Sequence, residues 1–164
     1  MSALKDVLAY RNDSLVIAFA KKHRQTIQIS EDLFLELKRW MWLIGSRDED
    51  AEPFPSFPEQ WILDDYWHEF ILSTRAYTDF CMLFFGRYIH HTPTPHGVND
   101  ANESLAAEDM QRFLKVSRQT LRNTVLEVRQ KLGDEVAVRW YVDLPQRYPL
   151  SKAGAPCQVE GSIL

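Results

Sequence analysis

Apolar residues recur every three or four positions through most of the chain, and the runs stop at prolines, glycines or polar caps. Residues 2–24 read as helical, and Asn12-Asp13-Ser14 offers a cap that either breaks this run or begins a second helix before Leu15, Val16, Ala18 and Phe19. Gln25 to Ile29 reads as a connector or a short edge strand. Ser30 then caps a helix whose stripe is Leu33/Phe34, Leu37, Trp40/Met41 and Ile44, closed by Gly45-Ser46. Residues 46–60 carry Asp48, Glu49, Asp50 and Glu52 with three prolines, which predicts an exposed acidic loop.

The next two helices, 60–72 and 75–86, carry the stripes Ile62/Leu63, Tyr66/Trp67, Phe70/Ile71 and Tyr77, Phe80/Cys81, Phe84/Phe85. Ser73 or Thr74 caps the second, and Gly86 stops it, so the pair is expected to form a hairpin or a bent pair. After polar residues 98–104 the longest helix runs from about 104 to 132 and ends at Gly133. Val136 to Leu144 is β-branched and aromatic, which suits a short strand or a docked extended arm. The fold expected is mainly α: a single-domain helical bundle over residues 1–150 with a central helical hairpin, followed by a disordered tail, 151–164.

Composition narrows this picture. A chain of 164 residues with 45% hydrophobic content can bury a core without disulfide staples, and its two cysteines, Cys81 and Cys157, provide no disulfide framework. The net charge of −4 argues against generic nucleic-acid binding. Charge is unevenly spread: residues 31–69 hold eleven acids against three bases, and residues 110–147 hold eight bases against four acids. Such opposite lobes attract each other within the fold or across a homodimer, and a protein partner is the other expectation. No apolar run approaches the roughly 18–20 residues that cross a bilayer, and no secretory pattern opens the chain, so a cytoplasmic protein is expected.

Candidate chemistry gathers in one region, because four of the five histidines lie between His68 and His96. On a helical wheel centred on Trp67, Asp64 and His68 border the apolar stripe and face each other at i,i+4, while Asp65 and Glu69 fall on the solvent side. An antiparallel hairpin brings His90 or His91 back toward that pair, with one of the two facing it. Neutral imidazoles with a carboxylate suit Zn or Fe rather than Ca or Mg, so Asp64, His68, His90 and His91 are the candidate ligands of a transition-metal ion. The competing expectation is an interaction or scaffold protein in which the same residues form a buried structural network.

Other motifs fall away. His68-Glu69 lacks the second histidine of a zinc-protease helix, since Leu72 stands there. Cys81 lies in an apolar stripe and reads as a core thiol. His23, after Lys21-Lys22, reads as a surface residue, and His96 lies in a proline-flanked loop. Arg112, Lys115, Arg118, Arg122, Arg129 and Lys131 read as a solvated basic face rather than a DNA-reading helix, because no short helix and glycine turn precede them.

The stretch Leu63-Asp64-x-x-Trp67-His68-x-Phe70-Ile71-Leu72-x-Thr74-x-x-Tyr77-x-x-Phe80-Cys81, with Phe85-Gly86-Arg87-Tyr88-Ile89-His90-His91-x-Pro93, resembles the glycine-rich domain-containing protein-like family. The resemblance implies that Asp64, Trp67, His68, Tyr77, Cys81 and His90-His91 are signature positions, and it implies no reaction. The chain departs from that pattern at Phe70, where plant members often carry a second histidine, and it has no glycine-rich tail, with 6 glycines in all.

Overall fold

Asn12 divides the N-terminal helical run, as its cap chemistry predicts. In the computed structural model, which describes residues 2–48, 51–57, 60–91 and 107–149, α1 (Leu4–Leu8) ends just before it and α2 (Asp13–Lys22) begins just after. The Asn12 side chain accepts a hydrogen bond from Leu15 N at 3.1 Å, which satisfies one of the donors that a helix start leaves open.

The next helix, α3 (Ile27–Gly45), starts earlier than expected. Thr26 is its cap, accepting from Ile29 N at 3.2 Å, so the connector or edge strand expected at Gln25–Ile29 is mostly the first turn of the helix. Ser30, expected as the cap, is instead wholly buried inside it. Its hydroxyl donates to Val16 O at 2.8 Å, leaving its oxygen to accept from Tyr66 OH at 2.9 Å. That small polar residue thereby joins three helices.

Helices α4 (Trp61–Leu72) and α5 (Thr74–Phe85) meet at Ser73 as the expected hairpin. Phe70 packs edge-on to Tyr77 and tilts against Phe80, with ring centroids 5.2 Å apart in each case. α3 packs against α1, α2 and α4, so the bundle is assembled on it. Aromatic stacking ties the layers: Phe19 of α2 lies parallel to Tyr66 of α4 with centroids 3.7 Å apart, and Phe34 of α3 covers the same ring at 5.6 Å. Gly45 permits one close approach, since a Cβ there would fall 2.4 Å from the Phe85 ring.

The long helix α6 (Ala107–Leu132) stops at Gly133, whose φ of 93° suits glycine. The chain then remains helical through α7 (Asp134–Val138), a π-helical turn (Arg139–Asp143) and α8 (Leu144–Arg147). The strand or extended arm expected over Val136–Leu144 is therefore not formed. Packing explains why: Val136, Trp140, Leu144 and Tyr148 follow at steps of four, and all are buried. A helix puts these four on one face, and that burial outweighs the β preference of the individual residues. The wide turn precedes Pro145, whose ring would clash with a carbonyl one α-helical turn earlier. Residues 98–104 and the expected tail, 151–164, lie outside the described residues. No helix among the described residues is long and apolar enough to cross a membrane.

One buried carboxylate docks this C-terminal segment on α3. Glu36 is 1% exposed; it accepts from the Trp140 indole N–H at 2.9 Å and pairs with Arg39 at 2.5 Å and Arg139 at 2.8 Å. Removing one partner of a buried charge network strands the others. Glu36→Ala is therefore expected to destabilise the protein by about 3 kcal/mol or more, measured by urea unfolding with tryptophan emission as the probe. A loss within the error of that measurement would show that the C-terminal segment does not depend on Glu36.

Candidate metal centre

Consecutive aspartates on α4 project about 100° apart around the helix axis, so they must find partners on different flanks. The structure gives each its own histidines. Asp64 faces the segment that follows α5. Gly86 ends that helix in the left-handed region (φ 68°), and residues 87–91 then return along α4. Ile89 plugs into the core at 3% exposure, and His91 reaches Asp64 with Nε2 2.9 Å from Oδ1. His68, one turn beyond Asp64 on α4, brings Nδ1 to 3.4 Å from Oδ2, within ion-pair range but long for a good hydrogen bond. The donor atoms of Asp64, His68 and His91 all lie within 4.8 Å of one another. His90 is exposed and turns away, its ring 4.9 Å from that of Tyr88. The adjacent histidines thus point differently, and the structure does not bring His90 into the group.

A chain of buried hydrogen bonds sets the position of His91. Trp67 Nε1 donates to Tyr77 OH at 2.9 Å, and Tyr77 OH donates to Ile89 O at 2.6 Å. Burial pushes the Tyr77 phenol far above its ordinary pKa, which keeps it a neutral donor. The Trp67 ring also lies edge-on to the His91 ring, centroids 4.4 Å apart, and walls the group from the core side. Toward solvent the group is open, because the His68 side chain is 49% exposed. Cys81 lies beneath this layer, fully buried, and burial raises its thiol pKa, so no thiolate nucleophile is available there.

Asp65 and Glu69 face α2 rather than open water. Lys22 Nζ reaches Asp65 at 2.9 Å and Glu69 at 3.1 Å, and His23 Nε2 sits 2.7 Å from Asp65. His23, read from sequence as a surface residue, is mostly covered and its ring lies 4.3 Å from that of Phe19. A helical wheel for α4 alone could not show this, because the partners stand 42 and 43 residues earlier. The available signal was Lys22-His23 at the C-terminal end of α2, where cations suit the helix dipole.

Desolvation works against the Asp65 charge, but the hydrogen bonds from His23 and Lys22 win and hold its carboxyl below the ordinary value of 3.8. A depressed carboxyl contributes stability above the unfolded pKa and loses it as pH falls through the folded one. Asp65→Asn should cost about 1 kcal/mol at neutral pH, given that the pair is partly exposed. Unfolding curves at successive pH values should show this cost fading below pH of about 4; a cost that stays constant down to acid pH would assign it to packing.

A model of the UCP032817-like family matches residues 9–128. No curated protein matches the chain, and neither does any solved structure. The family match corrects the resemblance to the glycine-rich domain-containing protein-like family, which rested on a short aromatic and histidine-rich stretch, whereas the model spans four of the helices described above, α2 to α5, and part of α6. The chain belongs to the UCP032817-like family.

Proposed function

We propose that Asp64, His68 and His91 hold a transition-metal ion, Zn2+ or Fe2+. One observation carries this reading: Asp64 is a half-buried carboxylate with two imidazoles against it and no Lys or Arg on it among the described residues. The adjacent Asp65 already has Lys22. Around Asp64 the place of a strong cation is open.

Donor spacing agrees with the proposal. Nitrogen and oxygen ligands about 2.0–2.2 Å from a zinc ion stand about 3.0–3.5 Å from one another. The two Asp64 separations, 2.9 Å from Oδ1 to His91 and 3.4 Å from Oδ2 to His68, lie near that spacing, and one donor atom from each of the three residues falls within 4.8 Å of the others. Imidazole ligands bind a metal ion in their unprotonated form, so affinity should fall in acid. Two imidazoles and one carboxylate suit zinc or non-haem iron over calcium or magnesium. Three protein ligands with a solvent-facing side leave room for water or a substrate oxygen, which an ion polarises or activates. In that arrangement Tyr77 acts as a positioning residue, through Ile89, and Trp67 keeps water from the inner side.

A second reading has its own support. The Trp67–Tyr77–Ile89 chain would also serve a purely structural clasp that fastens residues 86–91 to α4 in an interaction protein. Elemental analysis separates the two. Protein made without a metal-affinity tag and loaded with zinc or ferrous ion should retain the metal stoichiometrically through dialysis. His68→Ala and His91→Ala should each weaken it by more than the roughly 10–100-fold that losing an outer-shell partner costs. His90→Ala should leave it unchanged, and the exposed His68 should be replaceable without loss of fold. A wild type that retains neither metal contradicts the proposal.

A further inference from the structure

On the other side of the bundle, a cleft of about 290 Å³ lies between the turn joining α1 to α2 and one face of α3. Lys38 forms one end of it and is only 7% exposed. Its ammonium donates to Leu8 O at 2.5 Å and Tyr10 O at 2.9 Å, and no carboxylate pairs with it among the described residues. Burial above all, and then the charges of Arg11 and Arg39, lower its pKa from 10.5 to about 8. Arg39 is answered by Glu36, but Arg11, which also lines the cleft, makes no ion pair among the described residues. The two carbonyls account for where the Lys38 ammonium sits; they leave two like charges lining one concavity, neither in an ion pair among the described residues. Such an arrangement marks ligand sites more often than plain surface.

The far end of the same cleft carries the opposite sign. Glu31 stands two helical turns before Lys38 on α3, about 10 Å along the axis at 1.5 Å per residue. Asp13, in the first turn of α2, joins it, and both are exposed carboxylates without an ion pair among the described residues. Phe34 lies between the two ends, and the Lys38 ammonium sits 5.0 Å from its ring centroid. The acidic end disfavours a polyanion, and the buried ammonium disfavours a neutral apolar ligand. The volume, at the low end for ligand pockets, excludes a nucleotide-sized one.

We infer that this cleft binds a small zwitterion, its carboxylate at Lys38 and Arg11, its ammonium at Glu31 and Asp13, and its aliphatic middle on Phe34. The site shares no residue with the Asp64 group and stands or falls separately from it. Its ligand class is the amino acids and ω-amino acids, whose two charges are spaced by a short chain.

Titration of the full chain with ε-aminocaproate, caproate and hexylamine, followed by isothermal calorimetry and amide chemical shifts, tests the inference. The zwitterion is expected to bind saturably, with shifts confined to residues around Phe34 and Lys38. Each singly charged analogue should bind about tenfold more weakly, as expected when one charged contact is removed. Arg11→Gln should erase the advantage over hexylamine, and Glu31→Gln the advantage over caproate. Both residues are exposed and make no ion pair among the described residues, so neither substitution threatens the fold, unlike a change at Lys38. Absence of saturable binding by ε-aminocaproate, or binding unchanged in both variants, overturns the inference.

Discussion

Two carboxylates side by side on α4 take partners from different neighbouring elements, and the partners of Asp64 and Asp65 set how the elements around α4 meet. Asp65 takes Lys22 and His23, which fixes the C-terminal end of α2 against α4. Asp64 takes His91, which turns the chain after α5 back over the hairpin. Neither interaction supplies much free energy, because partly exposed ion pairs contribute about 1 kcal/mol or less. Stability comes from the aromatic layer beneath, where Phe19, Phe34, Tyr66, Phe70, Tyr77 and Phe80 pack among themselves. Apolar contacts alone specify a core less sharply than a buried polar network does.

The same logic operates at Glu36. A fully buried carboxylate on the central helix commits two arginines and a tryptophan to it, and two of those three belong to the C-terminal segment. Asp65 and Glu36 are answered by cationic side chains of this chain. Among the described residues Asp64 differs in having two imidazoles and the Ser56 hydroxyl as its partners, with no Lys or Arg on it. That difference in partners, rather than the presence of histidines as such, is what supports the proposal of a metal ion at Asp64.

The helices were legible where local chemistry decides them. Asn12, Gly86 and Gly133 act as their residue types predict, and the hairpin follows from its stripes, with Ser73 at the cap position of α5 but making no side-chain cap hydrogen bond. Asp64 and His68 were legible for the same reason, since an i,i+4 pair is set by one helix alone. What failed to show depended on partners far along the chain. Ser30 looked like a cap because its true partners, Val16 and Tyr66, lie on other helices. The segment 136–144 looked extended because its helical face acquires meaning only against Glu36, 104 residues from Trp140. His23 and the choice between His90 and His91 were hidden likewise, since each depends on how a second element crosses α4.

Imidazole nitrogen NMR during a zinc titration addresses the central claim most directly, because every histidine reports for itself. The account predicts that the ring nitrogens of His68 and His91 shift together and saturate at stoichiometric zinc. His23, held by Asp65 beside Lys22, and His90, turned toward Tyr88, should stay in place. Unchanged His68 and His91 resonances, or a zinc-dependent shift centred on His23 or His90, would contradict it.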